Sequence, residues 1–179
     1  LFLALFPLLI GTSITAGVSR HYFLYDDSED RSSVISGAAI ALTASSTAGA
    51  ALVLIFREPI AGFLFAVQGK TPNAAFVEYI SICALLVPFS LLTKTGIEAL
   101  QVQKRSKAVV AISLAKTLLE TALKLYFLFV PKMGVLGFLY AMLIGEMLAG
   151  TAFAVYIARV HGKRLVSRTF KPLVLYTIP

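Results

Sequence analysis

The chain has 179 residues, 58% of them hydrophobic and only 14% charged, with a mean hydropathy of +0.86. Soluble domains carry about 25% charged residues, so this composition argues against a soluble protein and for an integral membrane one. The formal charge of +7 does not indicate nucleic acid, because the basic residues sit in short connectors between apolar runs and not along one polar face.

Five long apolar segments and the start of a sixth follow one another along the chain. The first, Leu1 to Ser19, contains Pro7 and has neither an initiating Met nor a charged leader region, so it does not read as a signal peptide. A connector from Arg20 to Ser33 holds the acidic cluster Asp26, Asp27, Glu29 and Asp30. The second segment, Val34 to Phe56, repeats small residues every fourth position at Gly37, Ala41, Ser45 and Gly49, a stripe expected to pack against a neighbouring helix. The next connector, Arg57 to Phe76, includes an apolar stretch from Pro59 to Val67 that is too short to span and is expected at the membrane interface.

The third segment runs from Val77 to Leu100, and Pro88 is expected to kink it because proline lacks the backbone donor. The fourth runs from Ala108 to Val130 and the fifth from Val135 to Ala158, where Gly145 and Gly150 offer further close-packing positions. A sixth begins at Pro172 and is interrupted by the end of the sequence at Pro179. The expected organisation is therefore a transmembrane lobe over residues 1–171 and, at 172–179, the opening of the next spanning helix. Both ends read as cut, with spanning segments expected beyond each.

Lys and Arg in the connectors predict the orientation. Ten lie in Arg20–Ser33, Gln101–Lys107 and Arg159–Lys171, against three in the alternate connectors. The positive-inside rule places the first set in the cytoplasm, and the acidic cluster contributes little to that bias. The expected location is the cytoplasmic (inner) membrane, crossed several times, with 20–33, 101–107 and 159–171 facing the cytoplasm.

The fourth segment is the unusual one. Lys116, Glu120 and Lys124 follow at one-turn intervals, and Ser113, Thr117 and Thr121 extend the same face. A charge near the bilayer centre costs roughly 3 kcal/mol on insertion scales, so such residues are expected to face a water-filled cavity or to pair with one another. The third segment carries its own pair, Lys94 and Glu98, with Ser90 and Gln101 on that face. The short connector between the two segments predicts antiparallel neighbours with the two charge sets close together. Glu146 in the fifth segment is a further candidate. Two readings stay open: ion pairs that merely neutralise one another, or a functional polar surface.

Other chemistry finds little support. Cys83 is the only cysteine, and His21 and His161 are far apart, so neither a disulfide nor a metal centre is expected. No nucleophile elbow, phosphate-binding glycine loop or zinc-binding helix motif accompanies the charges, so the chain is not read as an enzyme, and no cofactor is expected.

Several landmarks in order resemble one family. Gly17-Val-Ser-Arg20-His-Tyr22 with the acidic loop and Arg31, Glu98 through Gln103-Lys-Arg105, Gly134-Val-Leu-Gly137, and Tyr176-Thr-Ile-Pro179 are similar to successive landmarks of the polysaccharide-biosynthesis flippases. These O-antigen or oligosaccharide flippases belong to the MOP transporter superfamily, together with the multidrug MATE exporters and the lipid II flippases. The resemblance covers helices two to six and the beginning of seven.

It implies an all-α fold, a polytopic bundle forming one of two six-helix lobes that rock about a central cavity. It implies movement of a polyprenyl-pyrophosphate-linked oligosaccharide across the membrane for cell-surface polysaccharide, such as the O-antigen of lipopolysaccharide. Lys94, Lys116 and Lys124 would then line the cavity and attract the pyrophosphate. Glu98, Glu120 and Glu146 would orient those lysines or carry a coupling proton or sodium ion. The partners so implied are the lipid-linked oligosaccharide, membrane lipids and that ion, with no nucleic acid. The matching glutamates depart from a purely cationic cavity. The alternatives are a MATE-type exporter of cationic drugs, which the lysines disfavour, and a membrane scaffold that transports nothing.

Overall fold

The computed structural model describes residues 22–24, 27–66 and 74–160. The segment from Leu1 to Ser19, both histidines, the landmark ending at Tyr22 except Tyr22 itself, and the stretch from Pro172 lie outside the described residues. The rest is all-helical: α1 (Ser28–Ile55), α2 (Arg57–Ala66), α3 (Ala74–Val102), α4 (Ser106–Phe129) and α5 (Val135–Val160). Three of these, over Glu29–Ile55, Ala75–Val102 and Val135–Val160, are long and apolar enough to cross a membrane, with mean hydropathies of 1.9, 2.0 and 1.7. The 24 residues of α4 match them in length, but its three central charges lower its apolarity.

The helices agree with the apolar segments, and their ends differ for identifiable reasons. The connector expected up to Ser33 is shorter, because α1 starts within the acidic cluster. Asp27 is its N-cap, its carboxylate accepting from the backbone N–H of Glu29 at 3.2 Å, and Glu29 and Asp30 occupy the first turn. Negative side chains are favourable there, where unpaired N–H groups and the helix dipole present positive charge. α3 runs unbroken through Pro88, so the proline does not end it. Most of the stretch from Pro59 lies in α2, ten residues long, with Phe63 largely exposed.

α3 and α5 form the centre of the bundle, running parallel. Tyr140 donates to Glu78 at 2.9 Å near their starts, and Tyr156 donates to Gln103 at 3.0 Å near their ends. Between these contacts the backbones come close: a Cβ on Gly150 would stand 2.8 Å from the Phe89 carbonyl oxygen, and Gly96 receives the ring of Phe153. Without hydrophobic drive between helices in lipid, such small residues permit the dispersion contacts that hold a bundle together.

α1 packs antiparallel against this pair. Val34, Ile35, Ala38, Ala39 and Leu42 bury against Leu91, Ala99, Val102 and Ile157. This face differs from the expected stripe: Gly37 is buried, Ala41 and Gly49 are half-buried and Ser45 is exposed. Hydroxyls along the bundle donate to carbonyls of their own helices, as Thr43 does to Ala39, Thr93 to Phe89 and Thr95 to Leu91. Each of these hydroxyl donors is thereby met in an apolar setting. The same cluster places the start of α1, the α3–α4 connector and the end of α5 at one end of the bundle.

Candidate functional site: a mid-helix charge network

α4 is the outermost helix and buries none of its residues. It packs antiparallel on α5. Gly137 seats Phe127 and Gly145 seats Glu120, whose Cγ would lie only 2.4 Å from a Cβ at position 145. The antiparallel register brings the centres of the two helices together, and that is where the charges are.

Lys116 Nζ lies 2.9 Å from Glu146 Oε1 and 3.1 Å from Glu120 Oε1, so one ammonium serves carboxylates from two helices. Lys124 Nζ stands 3.7 Å from Glu120 Oε2 and 4.5 Å from the centre of the Phe138 ring. The aromatic face stabilises the cation from the side that its carboxylate leaves open. The side chains of Glu146 and Glu120 are 11% and 13% exposed and those of Lys116 and Lys124 are 23% and 26% exposed, so the acids lie deeper than the bases. Two lysines and two glutamates give the network no net formal charge.

Two oxygens in it have no hydrogen bond. Glu120 Oε1 is within ion-pair distance of Lys116 but out of line for a hydrogen bond, and Glu146 Oε2 has no partner at all. Lone pairs of a buried carboxylate normally find a donor, and leaving one unmet costs about 1–3 kcal/mol or more. That oxygen of Glu146 is therefore open to a proton, a cation or a donor group.

The sequence-predicted residues thus separate into two sets. Lys116, Glu120, Lys124 and Glu146 come together, and Glu146, expected only as an outlying candidate, is the link between α4 and α5. Lys94 and Glu98 take no part in these ion pairs. Two residues from Gly96, Lys94 is rotated about 160° around α3 from the side that meets Phe153, so it lies away from α5. Lys94 is exposed, Glu98 is half-buried, and no ion pair joins Lys94 to Glu98 among the described residues. The third and fourth segments do touch, but α5 packs along α3 through Gly96 and Gly150, so α4 rests mainly on α5 and its charges meet Glu146.

Phe138, Glu78 and Tyr140 were not foreseen from the sequence. Glu78 is detectable as a lone acid early in an apolar helix; nothing in the sequence marks Phe138 as the partner of Lys124. Among the described residues no three His, Cys, Asp or Glu side chains converge to hold a metal ion.

Cavities flank the described part of the bundle. A cleft of about 570 Å³ adjoins the network, lined by Lys124, Leu125, Leu128, Gly134, Val135 and Phe138. A larger groove of about 660 Å³ lies between α1 and α5, lined by small and apolar residues such as Ala39, Thr43, Ala48 and Ala154. The larger groove has no charged lining residue. A third cavity of about 280 Å³ between α3, α4 and α5 is lined by Arg105 but by none of the four network residues. Of these three, the cleft beside Lys124 is the one that touches the network. Comparison with known proteins finds no matching family model, curated protein or solved structure.

Proposed function

We propose that this chain is a lobe of a membrane transporter whose cargo carries a pyrophosphate, the lipid-linked oligosaccharide of a cell-surface polysaccharide pathway. The observation that carries the reading is the charge network of Lys116, Glu146, Glu120 and Lys124 midway along two packed helices. Packing alone does not require four ionisable side chains at that depth, where each is expensive. The cleft beside Lys124 adds an apolar wall next to an ammonium, which suits an amphipathic ligand with an anionic head and a hydrocarbon tail.

In this reading Lys116 and Lys124 attract the diphosphate, while Glu120 and Glu146 hold them in place and offer a site for a coupling ion. Lys94 and Glu98, on the far side of α3, serve a separate polar face. Transport, and not covalent chemistry, is the role assigned to these residues.

The charge balance of the network favours a second reading, a scaffold in which the four residues only hold α4 to α5. Lys116→Ala and Lys124→Ala in the intact protein separate the two. The transporter reading expects surface polysaccharide to disappear while the variants still reach the membrane. Normal polysaccharide with well-inserted variants would remove these residues from function. For a scaffold, the neutral double substitution Lys116→Met with Glu120→Leu is tolerated; for a transporter it is not. A drug-resistance phenotype would direct the assignment to a cation exporter instead.

A further inference from the structure

We infer that Glu146 and an anionic ligand compete for the ammonium of Lys116, so that protonation of Glu146 admits the ligand. The inference rests on the anion-binding reading above and adds how the site is controlled.

Lys116 Nζ is already engaged at 2.9 Å by Glu146 and at 3.1 Å by Glu120. A diphosphate approaching the same ammonium meets two carboxylates within a few ångströms of it, in a site without net charge. Adding an anion there leaves uncompensated negative charge in a poorly solvated seam, which is unfavourable. Taking up one proton on Glu146 removes one of those negative charges. It also converts the acceptor of Lys116 into a neutral acid.

The structure shows where the proton goes. Glu146 is nine-tenths buried, its Oε1 takes the bond from Lys116, and its Oε2 is without any partner. Protonation at Oε2 fills the vacant position and leaves the Oε1 contact weaker. The ammonium keeps its charge and turns to the ligand; no covalent bond changes other than O–H formation.

The groups facing Glu146 favour it as the proton acceptor. From α4 these are Lys116 and Glu120, with Lys124 acting through Glu120. From α3 the side toward α5 offers one titratable group, Glu78, nearly two turns away and hydrogen-bonded to Tyr140. α1 presents no charged residue along its groove with α5. Glu120 keeps a second cation at Lys124 when Lys116 is withdrawn, whereas Glu146 has no other cation among the described residues. Glu146 is accordingly the acid that gains most by neutralisation.

By linkage, a ligand that requires one bound proton gains affinity on acidification by up to about tenfold per pH unit, and its binding drives proton uptake in turn. The test uses the intact protein in neutral-lipid nanodiscs, with inorganic pyrophosphate titrated from about pH 5.5 to about pH 8 to read the proton linkage. Pyrophosphate titrates in this range itself, so the reading is the difference between wild type and Glu146→Gln, in which that contribution is common. The expected result is tighter binding by Glu146→Gln at the alkaline end, with a pH slope smaller than wild type by about one log unit per pH unit. Lys116→Met should abolish binding in both backgrounds.

Equal slopes, with binding still lost in Lys116→Met, would overturn the proton linkage and leave the anion site standing. A slope lost in Glu120→Gln instead would move the proton to Glu120 and overturn the assignment. Absence of binding in folded wild type would remove the anion reading and this inference together. Infrared difference spectra of the wild type give a check that needs no variant. Pyrophosphate should bring up a protonated-carboxyl band, and its absence on saturation would refute the proposal. Farnesyl diphosphate run alongside distinguishes the source of the ligand: tighter binding than pyrophosphate indicates a lipid head group, and equal binding a free diphosphate.

Discussion

The ammonium of Lys116 bonds the carboxylate of Glu146 at 2.9 Å, and this contact between residues 30 apart ties a helix with no buried residue to the centre of the bundle. The pair is worth less as a net source of stability than its geometry suggests, because both charges lose water. Breaking it from one side is nevertheless costly, since the survivor stays in place without compensation. Lys116→Met is expected to destabilise by about 3 kcal/mol, Glu146→Leu by a similar amount, and the double variant by much less than their sum. Reversible unfolding in mixed micelles, arranged as a double-mutant cycle, measures the coupling. Additive losses would show that the two side chains do not interact.

The glycines set the spacing that the network needs. A Cβ at Gly145 would meet Glu120 Cγ at 2.4 Å, and a Cβ at Gly150 would meet the Phe89 carbonyl oxygen at 2.8 Å. The side chain of Glu120 can turn away, whereas the backbone of α3 can yield only by separating from α5. Gly150→Ala is expected to cost about 1–3 kcal/mol, and Gly145→Ala less stability but more function, since it displaces the shared partner of both lysines. Unfolding and transport assays on the same two variants should therefore rank them in opposite orders. The same order in both assays would refute the division.

α1 owes its early start to Asp27, whose carboxylate holds the Glu29 N–H. Asp27→Ala removes that acceptor and should cost about 1 kcal/mol, while Asp27→Asn, which still caps, should cost little. Equal losses from both would mean that charge, not capping, is what matters there.

The helices were legible because apolar runs of spanning length leave little choice of structure: the backbone must satisfy itself internally, and only a helix does so within one segment. The charge stripe of α4 was legible because Lys116, Glu120 and Lys124 fall at one-turn intervals. The neighbour it faces was not. A seven-residue connector suggested α3, yet helix association in lipid is decided by which small residues let backbones approach, and Gly96 and Gly150 bring α3 and α5 together. Their parallel contact depends on side-chain shape across more than 50 residues of sequence, which periodicity does not reveal. The start of α1 was missed for a local reason, since an acidic cluster reads equally well as a loop or as a helix cap and first turn.

Orientation is the remaining expectation with a direct test. Gln103 and Tyr156 meet at the end of the bundle where Val34, Val102 and Ile157 also gather, so the helix ends that lead into the basic connectors lie together whichever way the bundle faces. From the positive-inside bias, ten Lys and Arg against three, that end is expected to face the cytoplasm. Ser106 and Met133 are exposed at opposite ends of α4 and are suited to reporting it. With Cys83→Ser removing the native thiol, Met133→Cys should react with a membrane-impermeant maleimide in intact cells, and Ser106→Cys only after permeabilisation. The reverse pattern would invert the topology. It would also turn the cytoplasmic end of the α4–α5 seam outward, so that the path by which a proton and an anion reach Lys116 would have to begin on the other side of the membrane.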